Sequence, residues 1–416
     1  MKTTTLLTFA AIVAMAACQQ KMAKPMPPEE QPKEEQQEAA GRKQILLSQT
    51  ELQMVSSNNN FAFNLFRTAQ EDKSQILSPL SITYALSMLN NGATGETQQE
   101  INQTLGFFET DMDSINVFCK KMLDGAPTLD KGTKVLIGNT IYTNKGYTLK
   151  KGFVKKAKEY YDATPESRDF HDGKTLNVIN QWASDHTNKM IEQVLDYKTF
   201  NPDAISYLLN AIYFKGTWAE KFNKNLTKEE LFNKKEKVMM MRQFDEFDYA
   251  DNDYFSSVEL PYGNGSFCMT VMLPHEDKTV NDVLDYLSSK TWMDNGNRMH
   301  ECPVDLKLPR FETKTDMELN TIMQKLGISK AFTNAAEFDR FCDASTKIDL
   351  IKQVARIKLD EEGTEAAAVT IIEMTKASAV SHKPEPIVFH ADRTFLYVIS
   401  EQSTGAIFFI GKYTGE

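Results

Sequence analysis

Between Asp360 and Ser378 the residue types alternate with a period of two, the spacing of one face of a β-strand. Thr364, Ala366, Ala368, Thr370, Ile372 and Met374 share one side and none carries a charge, whereas Glu365 and Glu373 fall on the other. Small uncharged side chains on one face let a strand slide into a tight interior slot, while the acids opposite stay wetted. The chemistry written here is that of a strand able to be buried on demand. Local propensity alone favours an alanine-rich helix from Glu362 to Ala368, so these residues leave both conformations open until wider context decides. Beyond Ala377 the chain is polar or small, and Pro384 and Pro386 forbid regular pairing, which predicts an exposed loop before Phe389.

Enzymatic constellations are missing from the rest of the sequence. There is no His-Glu-x-x-His helix, no Gly-x-Ser-x-Gly elbow, no Ser-x-x-Lys pair and no Walker loop. Gly405 to Lys412 comes nearest to the last, but its spacing is wrong and Tyr413 stands where a Mg²⁺-binding hydroxyl would be needed. The six histidines form no pair at helical spacing, and Cys119, Cys268, Cys302 and Cys342 are scattered in no metal-ligand pattern. The expectation is therefore no catalysis, no metal, no organic cofactor, and four thiols with no obligatory disulfide. A net charge of -10 argues against a nucleic-acid partner, whose phosphates require a basic face.

The first residues address the chain to export. Lys2 supplies a positive start and Leu6 to Ala17 a short apolar run, too short to span a bilayer comfortably. Met15-Ala16-Ala17-Cys18 resembles the bacterial lipobox, with methionine where leucine is usual, and implies a lipid on Cys18 that holds the protein on a bacterial membrane, at the outer membrane or cell surface. An ordinary secretory peptide that happens to contain a cysteine is the alternative. Residues 1–17 are thus read as signal peptide and 18–43, rich in Gln, Glu, Lys and Pro, as a flexible tether unable to bury enough apolar surface to offset its ordering entropy. Residues 44–416 are read as one monomeric domain.

Within that domain the elements alternate irregularly. Ser78-Pro79 should open a helix, with Ser as cap and Pro pre-set in φ, and Leu80, Tyr84, Ala85, Met88 and Leu89 mark one buried face before Gly92. Ala204 to Phe214 and Val271 to Leu273 read as interior strands, and Phe395 to Ile399 with Ala406 to Ile410 as a buried antiparallel hairpin. A further helix is expected over Met317 to Leu326. Helices crowd the first half and strands the second, which predicts an α+β fold with large sheets.

The run Glu361-Glu362-Gly363-Thr364-Glu365-Ala366-Ala367-Ala368-Val369-Thr370 resembles, almost letter for letter, the hinge of the reactive-centre loop of inhibitory serpins. Similar blocks follow in the right order at Ser78 to Ile82, Asn210 to Trp218, Leu308 to Phe311, Phe389 to Phe395 and Ile407 to Lys412, so the resemblance spans everything after the tether. It implies helices packed on three β-sheets with an exposed loop that can insert into the main sheet. It also implies suicide inhibition of serine-type, and in some members cysteine-type, endopeptidases: the loop is cut as a substrate, and strand insertion traps the covalent acyl-enzyme. A non-inhibitory carrier of the same fold is the alternative, which charges or prolines on the inserting face would favour. Carried over residue by residue, the hinge comprises Glu361, Glu362, Gly363, Thr364, Glu365, Ala366, Ala367 and Ala368. Trp218 sits where the sheet first opens, Arg310 pairs with Glu361, and Ser78, Ser81 and Asn210 line a central gate where Gln353 replaces a frequent histidine. Counting from Gly363 puts the cleaved bond at Ala377-Ser378, which suits an elastase- or subtilisin-like pocket. Cleavage after Lys376 would suit a trypsin-like one.

Overall fold

The computed structural model describes residues 42–108, 110–364 and 385–416. Cys18, the expected signal peptide, nearly all of the tether, the hinge residues Glu365, Ala366, Ala367 and Ala368, and the bond candidates Lys376, Ala377 and Ser378 lie outside them. The helices are α1 Gln49–Thr68, α2 Pro79–Asn90, α3 Gly95–Leu105, α4 Met112–Gly125, α5 Lys151–Tyr161, α6 Thr175–His186, α7 Val280–Tyr286, α8 Ser289–Arg298 and α9 Asn320–Leu326. The strands are β1 Gln75–Leu77, β2 Thr133–Asn144, β3 Glu166–Arg168, β4 Ser206–Thr217, β5 Lys228–Phe232, β6 Glu236–Asp251, β7 Phe255–Tyr262, β8 Phe267–Pro274, β9 His300–Pro309, β10 Phe311–Glu318, β11 Leu350–Asp360, β12 Gly363–Thr364, β13 Ile387–His390, β14 Phe395–Glu401 and β15 Ile407–Tyr413. The class is α+β, as the sequence predicts.

Hydrogen bonding joins the strands into two sheets among the described residues. The six-stranded sheet runs β10-β11-β12-β4-β2-β3, and the nine-stranded sheet runs β1-β15-β14-β8-β7-β6-β9-β13 with β5 on β6. Three sheets were expected. The second and third share β6, whose 16 residues pair with β5 and β9 along most of its length and with β7 at its far end, so the ladder never breaks. β14 and β15 form the expected hairpin, and every residue of both is buried, which is why their apolar runs are continuous instead of alternating.

α2 packs behind the six-stranded sheet against β4, β2 and β15. All twelve of its residues are buried, not the single face that periodicity suggested, because sheet strands and helices enclose it on every side. Met317 also departs from expectation. It belongs to β10, whose burial alternates strictly along its length, and the following helix starts only at Asn320. Pairing with β11 along all of β10 outweighs the helical propensity of Met317 to Leu319.

Candidate functional site

β11 and β4 run parallel and are hydrogen-bonded neighbours from Leu350–Tyr207 to Ala355–Ile212. Above that ladder they part, and β12 fills the gap. Thr364 lies opposite Leu359 on one side and Gly216 on the other, and Gly363 lies opposite Asp360 and Thr217, both ladders antiparallel. Only glycine fits at 363: its φ is +141°, and a Cβ there would come within 2.2 Å of the Gly216 carbonyl oxygen. Thr364 is fully buried, and its hydroxyl meets that of Tyr262 at 2.7 Å. The Tyr262 ring stacks on Trp218 with centroids 4.4 Å apart and planes 12° from parallel. Burial pushes the Tyr262 phenol well above its ordinary pKa, so it remains a neutral hydrogen-bonding group.

Glu361 and Glu362 form the turn from β11 into β12, and each is held on both backbone and side chain. The Trp218 and Phe222 amides donate to the carbonyls of Glu362 and Glu361 at 2.9 and 3.0 Å, and the Trp218 indole donates to Asp360 O at 3.0 Å. The Glu361 carboxylate, 2% exposed, accepts from Arg310 at 2.5 Å and from the Thr227 hydroxyl at 2.6 Å. Burial acts to raise its pKa, but these hydrogen bonds prevail and hold it below the usual carboxylate range. Glu362 pairs with Lys221 at 2.7 Å and Lys224 at 2.8 Å, which likewise lowers its pKa.

Below the gap, where β11 and β4 are paired, lies a buried polar cluster. The Gln353 amide donates to Asn210 Oδ1 at 2.6 Å and to Ser78 O at 3.0 Å, and accepts from Ser78 N at 3.0 Å. Asn210 in turn donates to Ser81 Oγ and, at 2.7 Å, to Asn139 Oδ1. Ser78 occupies the N-cap of α2 but its hydroxyl does not cap the helix. It donates to Phe408 O at 2.7 Å, because a fully buried hydroxyl finds a better-placed carbonyl on β15 than any helical amide. The Gln353–Asn210 hydrogen bond therefore ties together the two strands that part above it.

Ser78, Ser81, Asn210 and Gln353 meet at this cluster, while Trp218, Arg310, Glu361, Glu362, Gly363 and Thr364 meet at the top of the gap. Sequence reading missed Tyr262, Thr227, Asn139, Lys221 and Lys224. For the lysines a signal existed: two cations three residues apart, just after Trp218, complement the acidic Asp360-Glu361-Glu362 run. Among the described residues no group of three or more His, Cys, Asp or Glu converges as a metal site, and Cys119, Cys268, Cys302 and Cys342 are free thiols. The arrangement seats a two-residue strand between the upper ends of β11 and β4.

A family model described as Serpin (serine protease inhibitor) matches residues 56–415. A serpin-like protein of Methanosarcina mazei is 29% identical over 375 residues, covering 86% of each chain. The antitrypsin of Bombyx mori is 29% identical over 371 residues, covering 86% of this chain and 93% of its own. Among solved structures, the native state of the thermophilic serpin tengpin superposes with a TM-score of 0.81 at 25% identity, over 89% of this chain and 96% of its own. Human thyroxine-binding globulin superposes with a TM-score of 0.79 at 28% identity, over 87% and 98%.

Proposed function

The chain belongs to the serpin family, and on that footing we propose that it inhibits serine-type endopeptidases by suicide cleavage of the segment after Thr364. The observation that carries this reading is the two-residue strand β12, already paired on both sides at the top of a gap between β11 and β4. Continuing both antiparallel registers down the gap would bring Thr370 between Asn210 and Gln353, which are now direct partners in the parallel ladder. Insertion thus replaces the Leu350 to Ala355 ladder with two new ones. It also presents the uncharged side of the alternation, Thr364 to Met374, to the face where Thr364 is buried.

In this mechanism the peptidase serine adds to the carbonyl of the reactive bond, and the new amine departs with a proton from the enzyme's general acid, leaving an ester between inhibitor and enzyme. The freed strand then slides into the sheet before water can hydrolyse that ester. The reactive bond is Ala377-Ser378 for elastase- or subtilisin-like enzymes, or the bond after Lys376 for trypsin-like ones. A lipid on Cys18 keeps the inhibitor at the bacterial surface, and Cys18→Ser is expected to move it to the aqueous phase on detergent partition.

Incubation of the full chain with pancreatic-type elastase and with trypsin, followed by denaturing gels and mass spectrometry, tests the reading. An adduct that survives denaturation, with a released peptide starting at Ala377 or Ser378, is expected. Clean cleavage with fully active enzyme in both cases would favour a carrier of the same fold.

A further inference from the structure

Resting on that reading, we propose that Lys221 and Lys224 are positioning residues that hold the hinge in its two-residue seat and thereby set how often a cleaved loop traps its peptidase. Asp360, Glu361 and Glu362 place three carboxylates in one tight turn, where mutual repulsion would open it. Arg310 answers Glu361, and the two lysines together answer Glu362, whose side chain is only 10% exposed. Lys221 and Lys224 extend from the segment directly after β4, and two backbone amides of the same segment, those of Trp218 and Phe222, bind the turn's carbonyls. One short segment therefore grips the turn by both its backbone and its charges.

The turn is the fixed point of the motion. When β12 lengthens downward, Glu361 and Glu362 remain where they are, because the registers at Gly363 and Thr364 do not change. The lysine contacts persist from the seated to the fully inserted state and are lost only if the hinge leaves the sheet. They therefore act on the unseated population: a hinge that has left the sheet must reseat before insertion begins, and that delay competes with hydrolysis of the acyl-enzyme. Lys221 and Lys224 are 33% and 57% exposed, so salt screens this grip far more than it screens the buried Thr364–Tyr262 contact.

The test has two independent readouts on the full chain. The first is hydrogen exchange of unreacted protein at residues 217–222 and 361–364. The double variant Lys221→Ala, Lys224→Ala is expected to exchange about tenfold faster there, as two partly exposed ion pairs allow, while Lys221→Arg, Lys224→Arg retains protection. The second is the ratio of cleaved inhibitor to covalent adduct with elastase or trypsin. That ratio should rise several-fold in the alanine variant and with increasing salt in the parent, at an unchanged rate of first cleavage. Exchange equal to the parent in the alanine variant would overturn the proposal even if adducts form. Absence of any adduct in the parent would instead refute the inhibitory reading and leave the exchange result to decide the role of the lysines.

Discussion

Thr364→Arg probes the slot at its entrance. The threonine is fully buried and its hydroxyl is 2.7 Å from that of Tyr262. Shape-preserving Thr364→Val removes only the hydroxyl and leaves Tyr262 short of a partner, at a cost of about 1 kcal/mol. Arginine adds an unpaired guanidinium to an enclosed site, and about 4 kcal/mol is a fair figure for seating it. The arginine hinge therefore rests outside its seat, and if half of that cost is felt at the barrier to reseating and insertion, the step slows about thirtyfold, against about twofold for valine. Deacylation is a property of the peptidase and is unaffected. For a parent that loses about one molecule to plain cleavage per enzyme trapped, the arginine variant should lose about thirty and the valine variant about two. Titration of residual peptidase activity against inhibitor, with adduct and cleaved chain quantified on denaturing gels, reads this directly. Titration of Thr364→Arg at the parental stoichiometry would refute the idea that this face must be buried for trapping.

Three further outcomes are expected. Arg310→Ala strips the 2%-exposed Glu361 carboxylate of its cation but leaves the Thr227 hydrogen bond, so the urea midpoint should fall by the equivalent of about 1–2 kcal/mol, with part recovered by lysine. Because Glu361 and Glu362 are both held below the ordinary glutamate value of 4.5, their stabilising contribution is complete above that pH and fades as pH falls through their lowered values; Trp218 fluorescence at the hinge should stay flat down to about pH 4.5 and change only below it. Gln353→Glu loses both amide donations, to Ser78 and Asn210, and buries a charge, so a loss of about 3 kcal/mol or more is expected at neutral pH, shrinking as acid restores a donor; thermal melts across pH would show it.

How legible these features were depended on the range of the interaction that makes them. The Phe395 to Ile410 hairpin could be read directly, since burial on both faces leaves an unbroken apolar signature in two neighbouring runs. The two-residue alternation after Asp360 was equally local. The strand at Met317 is not legible locally because its partner, Gln353, is remote in sequence, and nothing near Ser78 announces the Phe408 carbonyl that its hydroxyl meets. Tyr262 carries no motif at all. Its role arises from stacking on Trp218 and from touching Thr364, 102 positions away. Lys221 and Lys224 were visible as charges, but their partner Glu362 is identifiable only once β4 and β11 are known to flank the same gap.

The parallel ladder between β4 and β11 has a consequence for how such a protein must be supplied. Under the proposed mechanism, each residue that enters trades one row of inter-strand bonds for two, so withdrawal would require breaking both new rows before the old one could reform. Such a motion would be a one-way ratchet, and a molecule that had fired could not be reset. Capacity is then counted in copies instead of turnovers, and protection lasts only as long as synthesis keeps pace with the peptidase encountered.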